Sequence, residues 1–163
     1  MTNAILYRMP AGIPGALSKG AGQATVESDI YAAANYPTAF GVPVKYATGK
    51  ISKIVGAEGA TDIIGFLVRP YPTQYTSNEA LGAATPDITQ IANVLKRGYM
   101  TVKMDFGTAV KGGQVYVCVA VAGGNAIGEI GDSSDAANCV AVANCFFTGP
   151  ADDNGIVEIA YNI

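Results

Sequence analysis

The chain has 163 residues, 14% of them charged and 50% hydrophobic, with no histidine, no tryptophan and a formal net charge of −3. Ser-His-Asp and Cys-His catalytic arrangements are thereby excluded, and the charged fraction falls well below the roughly 25% of an average soluble domain. Residues 1–100 carry eight Lys/Arg against six Asp/Glu and residues 101–163 two against seven, so neither part offers the basic stripe that a phosphate backbone requires. So thinly charged a surface is a solubility hazard for a free monomer; burial against copies of itself or a larger lattice removes it, the other reading being a weakly charged monomer.

Residues 1–40 read as an extended N-terminal arm. Pro10, Gly12, Pro14, Gly15, Gly20 and Gly22 exclude a long helix, while Arg8, Lys19, Glu27 and Asp29 are too few charges for a disordered linker. Such an apolar arm should lie on its own body or on a neighbour rather than hang free, with Tyr7, Tyr31, Tyr36 and Phe40 as anchors. Removing residues 1–35 is then expected to leave a folded body.

The body, residues 41–163, is patterned as strands. Val42, Val44 and Tyr46 alternate with Pro43 and Lys45, and Thr48-Gly49 marks a turn into Ile51–Val55. Pro43 restricts that first strand to an edge or a beginning. Ile63–Val68 is continuously apolar, as in a strand covered on both faces, and ends at Arg69-Pro70-Tyr71-Pro72. Residues 85–97 admit two readings. Thr85-Pro86-Asp87 resembles a helix start, with Ile88, Ile91 and Leu95 at helical spacing; alternatively Ile91–Leu95 is a strand that turns at Lys96-Arg97-Gly98 into Tyr99–Met104. The β character beyond that turn favours the strand.

Val115, Val117, Val119 and Val121 share one face of a further strand, and Ala126–Ile130 is a short one. Cys139–Phe147 places Val140, Val142 and Phe146 on one side, and Ile156–Tyr161 closes the chain. Short strands separated by turn signals describe an all-β fold: a single barrel or jelly-roll-like sandwich with at most one or two short helices. The run Val42 to Phe66 is echoed by Val102 to Ile130: strand, glycine-containing turn, strand, then Ile-Gly.

Few residues offer chemistry. Cys118, Cys139 and Cys145 are odd in number and lack CxxC spacing, so neither a zinc site nor a disulfide framework is indicated and Cys118 reads as a small buried thiol. That pattern favours assembly in a reducing cytoplasm. Phosphate-loop and dinucleotide fingerprints fail at Gly49-Lys50 and Gly123-Gly124-Asn125. Asp132-Ser133-Ser134-Asp135 and Asp152-Asp153-Asn154-Gly155 could offer oxygens to calcium, but turn chemistry accounts for both. No cofactor or metal is expected. Nor is a membrane partner: the start lacks the features of a signal peptide, and no run approaches the ~20 apolar residues of a span.

Several segments together resemble the structural cement, or head decoration, proteins of tailed bacteriophages. They are Arg8–Gly15, Phe40-Gly41-Val42-Pro43-Val44, Ile64–Pro72, Leu95–Tyr99, Lys111–Val117 and Asn154–Tyr161. The resemblance implies a non-enzymatic β-barrel or jelly-roll protein, assembled in the host cytoplasm, that binds the outer surface of the finished head. There it would bridge neighbouring major capsid subunits as a dimer or trimer and stabilise the shell, with no direct contact to nucleic acid. Tyr7, Arg8, Pro10, Tyr36, Phe40, Arg69 and Tyr71 are the expected contacts with the capsid or with other copies. A carbohydrate-binding β module of a phage tail or bacterial surface assembly is the alternative, and an acid-dependent hydrolase a more distant one.

Overall fold

The apolar runs pair into one strongly curled antiparallel sheet. The computed structural model describes residues 12–70, 84–121 and 124–163. Its strands are β1 (Thr25–Ile30), β2 (Pro43–Ala47), β3 (Lys50–Lys53), β4 (Gly65–Val68), β5 (Ile91–Lys103), β6 (Gln114–Cys118), β7 (Ile130–Gly131), β8 (Cys139–Phe147) and β9 (Ile156–Tyr161), with short 3-10 turns at Ala21–Gln23, Ala60–Asp62 and Ser133–Asp135. The all-β, barrel- or sandwich-like expectation holds. Thr48 and Gly49, at φ 52° and 73°, make the two-residue turn whose twist suits the β2–β3 hairpin.

The sheet order β3-β2-β4-β5-β9-β8-β6-β7, with β1 also on β5, resolves into two units of the same topology. In the first, β3, β2, β4, the first half of β5 and β1 pair in succession, and Tyr31, just past β1, forms a parallel bridge to Ile51 on β3. In the second, β7, β6, β8, β9 and the second half of β5 do the same, and Phe106, just past β5, bridges in parallel to Gly131 on β7. β5 is therefore the last strand of one unit and the first of the next. The sequence echo between Val42–Phe66 and Val102–Ile130 points to this duplication, but one strand out of step: β2, β3 and β4 correspond to β6, β7 and β8.

Each unit has its own interior. Tyr31, Phe40, Val44, Ile51, Leu67, Ala92 and Val94 fill the first, where burial, reinforced by the charge of Asp87, pushes the Tyr31 phenol up to about 12. The second holds Met100, Val102, Val115, Val117, Val142, Phe147, Val157 and Ile159, and the same cluster takes in Ile54, Ile63, Phe66 and Leu95 from the outside of the first unit. Phe66 meets Tyr161 edge-to-face at 5.4 Å between ring centres. The units are thus welded by a shared strand and a common apolar seam.

Several expectations need correction. Residues 91–103 form one strand with no reversal at Lys96-Arg97-Gly98. Gly98, at φ 136°, bends the strand where it leaves one unit for the other, and a Cβ there would lie 2.9 Å from the Cα of Ala24. Thr85-Pro86-Asp87 starts no helix; the Asp87 carboxylate instead accepts from the amide and hydroxyl of Thr89, closing a turn. β6 ends at Cys118, leaving Val121 exposed, and residues 126–129 turn rather than extend, the Glu129 amide donating to the Ala126 carbonyl. Finally, Asn144 at φ 51° breaks the alternation of β8, where two steps of β6 oppose five of β8 between Tyr116–Ala141 and Gln114–Phe146. The bulge turns Cys145 and Phe147 inward and leaves Phe146 41% exposed.

Candidate functional site

Three of the segments that carry the sequence resemblance converge at one place. Residues 13–18 run antiparallel beside β5: Gly15 donates to Thr101, Thr101 to Ala16 and Ser18 to Tyr99 through backbone bonds of 2.7, 2.9 and 3.2 Å. The buried Thr101 hydroxyl donates to the Ile13 carbonyl as well. Gly15 also receives the Arg69 amide at 2.8 Å, and a Cβ on it would stand 2.6 Å from that of Phe40. Only glycine lets the strap, the Phe40-Gly41 corner and the end of β4 approach so closely.

Of the seven contact residues expected from sequence, Tyr7, Arg8, Pro10 and Tyr71 lie outside the described residues. Of the other three, Phe40 and Arg69 meet here, and Tyr36 packs against the same apolar cluster. Tyr36 is half-buried with its ring edge-on to Tyr31 at 6.4 Å. Phe40 is buried in the first unit's interior, and the Arg69 guanidinium lies over its ring, 5.5 Å from the centre. Phe40 is therefore committed to its own chain, and Tyr36 and Arg69 form the accessible edge of that cluster.

The acidic groups hold loops. Glu58, 6% exposed, takes the Lys45 ammonium and the amide of Val55 on Oε1 and the Gly56 amide on Oε2. Burial alone would raise its pKa; Lys45 and the two amides outweigh this and hold the carboxyl below the usual range. The same loop reaches the second unit, the Ala57 amide donating to the Val119 carbonyl at 2.8 Å. Asp132 accepts from the amides of Ser134 and Thr108 at 2.8 Å each; desolvation would raise its pKa, but the Ser134 side chain and these amides outweigh it and lower the pKa. Asp152 takes the amides of Asn154 and Ile156. Sequence reasoning assigned Glu58 no part, since nothing in the run Gly56–Gly59 marks that acid as buried.

The cysteines differ from expectation. Cys118 and Cys139 oppose each other in the β6–β8 ladder and form a disulfide, and Cys145 is a buried free thiol whose pKa burial raises. Directly opposed positions in a register cannot be read from sequence spacing. Asp135 stands beside the pair, but its oxygens accept from the side-chain amides of Asn125 and Asn138, so the cluster is arranged as a covalent staple with a hydrogen-bonded cover.

Between the units opens a cleft of about 260 Å³, lined by residues that include Pro37, Val42, Lys53, Ile54, Asp105 and Glu129. Asp105 pairs with Lys103 at 2.9 Å and accepts the Ile130 amide, and Glu129 accepts the Ala126 amide. The carboxylates are thus tied to the local fold. Among the described residues, the cleft lining has no aromatic ring on which a sugar could stack.

A duplicated β body, a strap sewn along it and acids used as loop ties describe a protein built for contact. The family model described as XM1 gp53 minor capsid protein matches residues 1–161. The chain belongs to that family. A solved chain from "The capsid of Myoviridae Phage XM1" shares the fold, with a TM-score of 0.68 at 22% identity over 99% of this chain and 97% of that one. No curated protein matches significantly. This minor capsid protein is accordingly a structural component of a phage virion, and no helix among its described residues is long and apolar enough to cross a membrane.

Proposed function

We propose that this minor capsid protein is a cement protein: it binds the outer surface of the assembled head, bridges neighbouring major capsid subunits and stiffens the shell without catalysing a reaction. The observation that carries this reading is β5, one strand of 13 residues built into both units. It fixes the separation and angle of the two units, which is what a brace between two subunits needs and a flexible linker would not supply. The low charge of the chain suits a surface largely covered after docking. Residues 13–18 act as the strap of this brace, and Tyr36 and Arg69 as part of its contact edge. Assembly into a small homo-oligomer lets modest contacts add, since linked sites gain avidity of roughly 10²–10⁴ without new chemistry.

The test is direct. Purified protein added to heads that lack it should bind saturably and raise the temperature or force at which the shell breaks. Heads that neither bind it nor gain resistance would refute the proposal.

A further inference from the structure

Beyond β5 and its apolar seam, the two units meet at the loop of residues 55–58. Gly56 lies so close to the second unit that a Cβ on it would stand 3.1 Å from Cδ1 of Ile127 and 3.3 Å from the Val119 carbonyl oxygen. Ala57 donates to that same carbonyl at 2.8 Å. Its φ of 63° is a left-handed conformation that costs an alanine energy and persists only while neighbouring contacts hold it. Glu58 ties the loop from the first unit's side through the amides of Val55 and Gly56. Val119 and Ile127 hold it from the second.

The groups that position Val119 and Ile127 converge on the disulfide. Val119 directly follows Cys118, and its amide and that of Ala120 donate to the carbonyl of Asn138, the residue before Cys139, at 3.0 and 3.1 Å. The Cys118 amide donates to the Glu129 carbonyl at 2.9 Å, and the Cys118 carbonyl accepts the Gly128 amide at 2.8 Å, which fixes the turn that carries Ile127. β6 has ended at Cys118, so these bonds and the Cys118–Cys139 cross-link do there what a ladder does elsewhere. Cys118 is 0% and Cys139 6% exposed, and a carboxylate oxygen of Asp135 lies within 4.8 Å of both sulfurs.

We propose that Cys118 and Cys139 form a redox-set latch: the bond, once closed, holds Val119 and Ile127 against the Gly56-Ala57 loop, and its reduction releases that loop. A phage component is made inside a bacterial host, where thiols are kept reduced, and works outside it, so both states lie on its path. A small-molecule disulfide such as oxidised glutathione is the oxidant of the closing step. The thiolate of Cys139, the more accessible sulfur, attacks it, forming a mixed disulfide and releasing one glutathione. Cys118 then displaces the second, so two protein thiols become one disulfide while glutathione disulfide becomes two thiols. A dithiol reverses the step. The Asp135 charge opposes the approach of an anionic thiolate, which makes each state long-lived. None of this depends on the cement reading, and the test needs only the purified chain.

Residue-resolved hydrogen exchange by NMR, on the oxidised protein and after treatment with dithiothreitol, is that test. Reduction should speed exchange of the Ala57 amide at least about tenfold. The Thr89 amide, held by Asp87 in a first-unit turn, should keep its rate. Oxidised glutathione should restore slow exchange at Ala57, and Cys118→Ser should match the reduced wild type with or without reductant; if that variant does not fold, the reduction series decides alone. An Ala57 rate that ignores reduction would overturn the inference, as would a Thr89 rate that rises in step, which would mean a general loosening. A bond that dithiothreitol leaves closed in the folded chain, read by alkylation with the buried Cys145 thiol as internal reference, would also overturn it, because the pair would then be a permanent staple.

Discussion

Replacing Glu58 by glutamine probes how the two units are locked. The carboxylate is almost fully enclosed and accepts three donors, from Lys45, Val55 and Gly56. Glutamine keeps the shape but turns one acceptor into a donor, so either the Gly56 amide or the Val55–Lys45 pair loses its partner. A hydrogen bond to a charged group is worth about 1.5–3 kcal/mol, and breaking a fully buried ion pair costs about 3–5 kcal/mol. The Lys45 side chain is 21% exposed and regains some water, which places the loss nearer about 2–3 kcal/mol. For a chain of this size that lowers Tm by about 4–12 °C. The effect depends on pH in a defined direction. The folded-state pKa of Glu58 lies below its unfolded value, so the carboxylate's contribution is complete above the unfolded pKa and is lost as pH falls through the folded one. Calorimetry of wild type and Glu58→Gln from neutral to acid pH should therefore show the widest gap at neutrality and convergence in acid. A gap under about 2 °C at neutral pH, or one that stays constant on acidification, would refute this account of the loop.

Three further outcomes are expected. Cys118→Ser removes a cross-link spanning 21 residues of sequence, and chain entropy puts the loss at about 3 kcal/mol; urea unfolding with and without reductant should show wild type falling to the mutant's level only when reduced. Gly65→Ala would drive a Cβ to 2.2 Å from the Leu95 carbonyl at φ 151° and should abolish soluble yield, whereas Gly49→Ala, at φ 73° with open space around it, should cost only about 1 kcal/mol. Deleting residues 1–35, expected from sequence alone to leave a folded body, removes β1, the buried Tyr31 and the strap's bonds to β5, so the remainder should instead lose its cooperative thermal transition; a sharp transition near the wild-type temperature would show that the first unit closes without them.

Strand existence was legible because it depends on alternation and on glycine or proline at turns, which are local properties. Val42–Tyr46, Thr48-Gly49, Ile63–Val68, Tyr99–Met104 and Ile156–Tyr161 all carried that signal. What failed was parity and direction. Lys96-Arg97-Gly98 looks like a hairpin turn, yet glycine with positive φ can bend a strand as readily as reverse it, and only the pairing partner distinguishes the two. Phe146 was expected on the side of Val140 and Val142, but a bulge shifts every later side chain to the other face, and Asn144 is a weak mark for one. Burial of Glu58 and the opposition of Cys118 to Cys139 arise from contacts between distant segments. Among the described residues, Gly15, Phe40 and Arg69 do meet, but convergence there makes core as well as surface.

The shared strand has a mechanical consequence that two tethered units would lack. A linker between them would let the two faces drift apart at a cost of a few soft dihedrals. Here β5 is hydrogen-bonded to β4 and β1 over its first half and to β9 and the strap over its second, so separation means breaking ladder bonds and uncovering Phe66, Leu95 and Tyr161 together. At about 3.3 Å per residue, its 13 residues give a brace of roughly 40 Å. Such a brace passes load between its ends through backbone hydrogen bonds, and Gly98 sets the angle between those ends without opening a hinge, because both of its neighbours remain paired.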